Sequence, residues 1–206
     1  MLESRVQGSR RSLVGWRGYK INGGGMVYDW GVHLIDQMLD LFDSPVTSIS
    51  AHLFDIFSDG VDDNFKVLFR FENKVSALVE IDTNCFINQP RWHMSCTDGT
   101  AVIEDWELHG KMVKLSSDEQ MTWENDIVYT AAGPTRTMAP RPKHTTTELE
   151  LPKVNPQWSE YYENIAGVLK GEQELIVKPE QALRVMQVID TIFASDRLGK
   201  PIECRI

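Results

Sequence analysis

Residues 64 to 82 read NFKVLFRFENKVSALVEID, and the pairing within that stretch decides the fold. Phe65, Val67, Phe69 and Phe71 alternate with mostly polar neighbours, and Val75, Ala77, Val79 and Ile81 alternate likewise. A side-chain period of two marks strands with one buried face. A two-residue turn at Asn73-Lys74 would set Phe69 against Leu78 and Val67 against Glu80, mixing the faces. A three-residue loop of Glu72, Asn73 and Lys74 sets Phe71 against Val75, Phe69 against Ala77, Val67 against Val79 and Phe65 against Ile81, and it brings Lys66 opposite Glu80. A slip of one residue would turn every side chain to the wrong face. The spacing therefore predicts the three-residue loop, with Asn73 or Lys74 near left-handed backbone geometry. On the outer face Leu68 meets Leu78, an apolar pair that marks this face as not fully solvated.

Further strands extend from this hairpin. Residues 46 to 54 (VTSISAHLF) form one candidate, and residues 91–97 and 100–105 form a second hairpin turning at Asp98-Gly99. Residues 111–115 read as another strand, and residues 145–151 as a return strand. Between them, residues 116–147 hold Gly133, Pro134, Pro140, Pro142 and many threonines, which reads as a long surface excursion. Three helices surround the strands. The first spans 26 to 42, with Leu34, Ile35, Met38, Leu41 and Phe42 on one side, and is stopped by Ser44-Pro45. The second starts at Asn155-Pro156 and ends near Gly171; the third runs from Pro179 to about Leu198, with Gly199 as its stop. The apolar stripe of the third is Ala182, Leu183, Val185, Met186, Ile189, Ile192 and Phe193. A meander of strands flanked by helices predicts an α+β fold with a mainly antiparallel sheet, as one domain over residues 1–206 behind a leading segment at 1–22.

Bulk properties exclude several classes of function. The chain has 206 residues, 42% hydrophobic and 25% charged, with a formal net charge of −9. That charge argues against nucleic-acid binding. The leading segment is locally basic, with Arg5, Arg10, Arg11, Arg17 and Lys20 against Glu3 alone, which suits either an anionic ligand or a solvated flank. Cys85, Cys96 and Cys204 form no CxxC pair, so reduced thiols in a cytoplasmic protein are expected, with Cys85 and Cys96 packed in strands. No apolar run approaches the ~20 residues of a membrane span, so no membrane partner is expected.

The chemistry-bearing stretch is INGGGMVYDWGVHLIDQMLDLF, residues 21 to 42. On a helix advancing ~100° per residue, Asp29, His33, Asp36 and Asp40 share one stripe opposite the apolar set. Periodicity alone reads this stripe as the wet face of an amphipathic helix. Its first turn admits a second reading. A carboxylate is favoured at a helix N-terminus, and His33 one turn on can exchange a hydrogen bond with Asp29 and accept a proton from an alcohol. Gly23, Gly24 and Gly25 lack Cβ, so a ligand or another backbone can approach closely. The triplet is no dinucleotide fingerprint, because it lacks the G-x-G-x-x-G spacing and no apolar strand precedes it. Three ligand types on one helical stripe rarely converge on one ion, so no metal is expected. His52, His93, His109 and His144 show no partner spacing and read as structural.

The segment GGGMVYDWGVHLIDQ resembles the GGGxxxDxGxHxxD signature of the Gfo/Idh/MocA oxidoreductases, through Gly23, Gly24, Gly25, Asp29, Gly31, His33 and Asp36. The ending LIVKPEQALRVMQVIDTIFASDRLGKPIE also resembles that family's ending. The resemblance favours the functional reading of the stripe. It implies an N-terminal Rossmann domain binding NAD or NADP, followed by an α+β domain with an open, mainly antiparallel sheet. That second domain contacts substrate, and its sheet face commonly forms a homodimer or a higher homo-oligomer, a use that suits Leu68 and Leu78. By this resemblance His33 handles the hydroxyl proton and Asp29 binds and orients the substrate. A sugar, cyclitol or related polyol needs several polar partners, and Gly24, Gly25, Trp16, Arg17, Tyr19 and Lys20 stand where they could help form its site. The sequence carries no Rossmann half and no segment with the family's catalytic Lys. The chain alone is therefore expected to be inactive and to hold no cofactor. A non-enzymatic ligand sensor and an NAD-dependent glycoside hydrolase are the alternatives within the same family.

Overall fold

The structure, a computed structural model, describes residues 1–8, 12–116, 127–136 and 142–206. Among the described residues, eleven strands and three α-helices follow in chain order: β1 (Leu2–Gln7), α1 (Val32–Leu41), β2 (Val46–Phe54), β3 (Asn64–Phe71), β4 (Ser76–Asp82), β5 (Trp92–Ser95), β6 (Gly99–Ile103), β7 (Gly110–Leu115), β8 (Ile127–Thr130), β9 (Gly133–Arg136), β10 (Thr146–Leu149), α2 (Ser159–Leu169), α3 (Pro179–Leu198) and β11 (Ile202–Glu203). Nine strands form one open sheet in the order β10-β7-β6-β5-β1-β4-β3-β2-β11, while β8 and β9 pair only with each other. Every pairing in the large sheet is antiparallel except β1 with β4. This is the expected α+β architecture.

The β3–β4 hairpin has the three-residue loop. Phe65 pairs with Ile81, Lys66 with Glu80, Val67 with Val79, Leu68 with Leu78 and Phe69 with Ala77. The loop closes through the Phe71 and Val75 backbones at 2.9 Å, and Lys74 takes the left-handed conformation at φ 67°. One face of this hairpin is fully buried. Phe65, Val67, Phe69, Ala77 and Val79 meet α1 and α3, whose inward residues include Leu34, Ile35, Met38, Val188, Ile189 and Ile192. Burying each such side chain is worth roughly 1.5–3 kcal/mol.

The leading segment differs from its sequence reading, because it supplies the central strand. β1 lies between β4 and β5, with Leu2 and Ser4 buried on the helix side. Its sequence LESRVQ offers no apolar alternation, because Ser4 takes an inward position and Arg5 is buried by charge rather than by apolarity. Arg5 pairs with Glu3 and stands 3.5 Å from Glu80, and Lys66 reaches Glu80 from the other side at 3.6 Å. One of the segment's basic residues, Arg5, is thus spent inside the sheet. Arg10 and Arg11 lie outside the described residues.

Four smaller expectations shift. The β5–β6 hairpin turns at Thr97-Asp98, one residue earlier than the dipeptide rule suggested, because Cys96 pairs with Gly99. Gly99 instead makes room for β7, since a Cβ there would meet the Val113 carbonyl oxygen at 2.6 Å. α2 starts at Ser159 rather than beside Pro156. Leu183, Met186 and Leu41 are exposed, so the buried stripes are narrower than the apolar patterns. Cys96 is exposed just past β5 and Cys85 follows β4, so neither is packed within a strand. Beyond β11, the edge of β2 is closed by side chains of α3. Ser195 Oγ accepts the Ala51 N–H at 3.1 Å and Asp196 Oδ1 accepts that of Leu53 at 2.8 Å, which blunts an edge that would otherwise invite pairing. No helix among the described residues is long and apolar enough to cross a membrane.

Candidate functional site

The helix carrying the Asp and His does not start as a regular α-helix. Residues Val27–Gly31 form a π-helical turn that runs into α1. Such turns recur at functional sites. Its neighbours explain its shape. Asp62 Oδ2 accepts the Val27 N–H at 2.8 Å, and the Asp62 carbonyl accepts that of Met26 at 2.8 Å. These contacts satisfy donors that a helix start leaves without partners. A Cβ at Gly31 would meet the Phe65 ring at 3.0 Å, so glycine lets that core ring pack against the turn. Gly25 stands at φ 110°, and the space a side chain would take there is filled by the Asp62 carboxylate. Burial pushes the Asp62 carboxyl up to about 6, against the pull of the backbone N–H groups of Val27, Asp62 itself and Met26.

Gly24 is packed against backbone. A Cβ there would lie 2.8 Å from the Tyr19 carbonyl oxygen and would also press on that of Arg17. The glycine triplet therefore admits the protein's own backbone and one carboxylate. It does not fit a pyrophosphate, because the groups filling it are acceptors that would repel phosphate oxygens. Among the described residues, the triplet thus offers no cradle for NAD or NADP.

Asp29 sits inside the π turn, so the uniform helical step does not apply to it. Its carboxylate goes to Arg17, whose Nε donates to Oδ2 at 2.5 Å, and Asp29 makes no hydrogen bond with His33 among the described residues. The bond to Asp29 raises the Arg17 guanidinium above its usual range. Asp29 Oδ1 and the terminal Arg17 nitrogens take no other hydrogen bond among the described residues. Both residues line a cavity of about 670 Å³ between the leading segment, the π turn and the ends of β1 and β4. Trp30, Trp106, Gln7, Asp82 and Thr83 complete its chemistry. His33 is exposed outside this lining, with its ring edge-on to Trp30 at 6.1 Å.

The other candidate residues divide. Lys20 and Gly24 line a second, larger cavity of about 880 Å³ with Tyr28, Asp62, Asp190 and Phe193. Gly25 is buried, and Trp16 and Tyr19 are exposed beside neither lining, with Arg17 stacked 4.9 Å over Trp16. The smaller cavity is the better candidate, because it joins a carboxylate, a guanidinium and two indoles. Trp30 and Trp106 escaped the sequence reading: Trp30 lies within the recognised motif, and Trp106 joins it only through the β6–β7 connection. His109, for which the sequence showed no usable partner spacing, does have a partner. Its Nδ1 stands 2.7 Å from Asp105, four residues earlier, and that contact raises its basicity. Asp105, Glu107 and His109 bring donor atoms within 4.8 Å of one another, although the Asp105 contact already occupies His109 Nδ1.

A family model described as the GFO/IDH/MocA C-terminal domain matches residues 1–102, which contain β1, the π turn and the β3–β4 hairpin. A solved NAD-binding protein from Listeria innocua is 40% identical and superposes with a TM-score of 0.86 over 98% of this chain and 58% of its own. The chain belongs to the GFO/IDH/MocA family. It carries that family's C-terminal domain. A curated relative, the scyllo-inositol 2-dehydrogenase (NADP(+)) IolW of Bacillus subtilis (strain 168), is 24% identical over 190 residues, covering 91% of this chain and 51% of the relative. The chain thus spans little more than half the length of the relatives it matches, and within the family domain the signature Asp and His fall on the π turn and the first turn of α1.

Proposed function

We propose that this chain is the substrate-binding and oligomerisation domain of an NAD(P)-dependent oxidoreductase acting on a sugar, cyclitol or related polyol. The Arg17–Asp29 pair in the cavity supports this reading most directly. Among the described residues the carboxylate keeps one oxygen and the guanidinium its terminal N–H groups unbonded, which offers an acceptor and donors to neighbouring hydroxyls. The cyclitol named for the curated relative agrees with that chemistry. Hydride acceptance belongs to NAD or NADP in the longer protein. This chain's residues bind and orient the polyol, and His33, outside the lining but with its ring beside that of Trp30, exchanges the proton of a hydroxyl at the cavity's edge. By itself the chain is expected to turn nothing over.

The test is His33→Ala in the longer protein with a polyol and NAD(P). Turnover should fall about 10²–10⁴-fold, the usual contribution of a general base. Near-normal turnover would remove His33 from the chemistry.

A further inference from the structure

Two large indoles stand partly exposed in the same cavity as the Arg17–Asp29 pair. Trp30 is 38% and Trp106 53% exposed, and their ring centroids lie 5.5 Å apart at 59°. Trp30 belongs to the π turn next to Asp29, whereas Trp106 comes from the β6–β7 connection. Trp106 is itself packed by a cation. The Arg91 guanidinium lies 3.4 Å over its ring, and burial lowers the basicity of Arg91 there. An indole packed by a cation over its ring and by a second, tilted indole loses little further freedom when a ligand arrives. The lining is divided by chemistry. Polar groups come from Arg17, Asp29, Asp82 and Gln7, and apolar surface from the indoles with Leu13 and Met26.

We infer that Trp30 and Trp106 form an aromatic wall that selects ring-shaped polyols, stacking on the C–H face of the ring while Asp29 and Arg17 take adjacent hydroxyls. This rests on the polyol reading and deepens it. A cyclitol or pyranose holds its C–H groups on one surface and its hydroxyls around the rim, matching a site with one apolar wall and one charged pair. An acyclic polyol must freeze several rotors to present the same surface, and each frozen rotor weakens binding.

The test uses the longer protein with NAD(P) and two six-carbon hexols, cyclic myo-inositol and acyclic sorbitol. Wild type should prefer myo-inositol in kcat/KM. Trp106→Ala should raise KM for myo-inositol about tenfold with a smaller effect on kcat, the size expected for one lost aromatic contact. The preference over sorbitol should collapse with it. Trp106→Phe should restore most of the preference, which a merely misfolded variant would not do. A KM within about twofold of wild type in Trp106→Ala, or equal use of sorbitol, overturns the aromatic wall and leaves the polyol reading standing, provided His33→Ala still lowers turnover by about 10²–10⁴-fold. Failure to oxidise either hexol, or any other polyol, overturns both.

Discussion

Replacing Asp62 by asparagine makes the energetic role of that buried carboxyl measurable. Asp62 lies 8% exposed beneath the glycine triplet, and its Oδ2 accepts the Val27 N–H that starts the π turn. Burial lifts its carboxyl from 3.8 to about 6, with the neighbouring Asp63 adding to the rise and the Val27 and Met26 N–H groups opposing it. The unfolded chain gives up this proton near pH 3.8, whereas the folded chain holds it to about pH 6. Between those values the folded state binds more protons, so rising pH favours unfolding. At ~1.4 kcal/mol per tenfold difference in proton affinity, the stability present below the lower value and lost above the upper is about 3 kcal/mol. The asparagine of Asp62→Asn has no proton to lose, and its carbonyl oxygen can still accept the Val27 N–H. Urea unfolding of wild type and Asp62→Asn at several pH values between 4 and 7.5 isolates the effect, because the other titrating groups are common to both chains. The stability difference should move in favour of the variant by about 2–3 kcal/mol across that range, mostly below pH 6. A difference that stays flat with pH would refute the claim that Asp62 is charged at the expense of the fold.

Two further outcomes follow from the packing. Ile192 is fully buried on α3 against the sheet, so Ile192→Ala should cost about 2–5 kcal/mol in the same urea assay through lost burial and the cavity left behind. Leu68 is 46% exposed on the sheet face away from the helices, opposite Leu78, and we propose that this face joins subunits. Leu68→Glu should then shift sedimentation toward a monomer that stays folded, because the side chain is not part of the core; unchanged association would remove Leu68 from the interface.

Much of the architecture was legible because it depends on local spacing. The β3–β4 register followed from one-residue bookkeeping between two alternating strands, since only one loop length puts Phe65, Val67 and Phe69 on the side of Ile81, Val79 and Ala77. Helix α3 announced both ends, through Pro179 at its first turn and Gly199 in the left-handed conformation at its last. β1 was not legible. Its Arg5 is buried against Glu80, which stands beside it only because β4 lies parallel to β1.

The motif shows the same division. Sequence alone identified the glycine triplet, Asp29 and His33 as an unusual unit and excluded a phosphate loop by spacing. It did not reveal that Asp29 would turn to Arg17, that the glycines would admit Tyr19, Arg17 and Asp62, or that Trp106 would meet Trp30 across the cavity. The physical reason is the range of the forces. Periodicity and turn chemistry act over a few residues and are written in their order, whereas a buried carboxylate, a charge pair and an aromatic wall need partners from distant segments. Those segments come together only when the sheet assembles on both sides of β1.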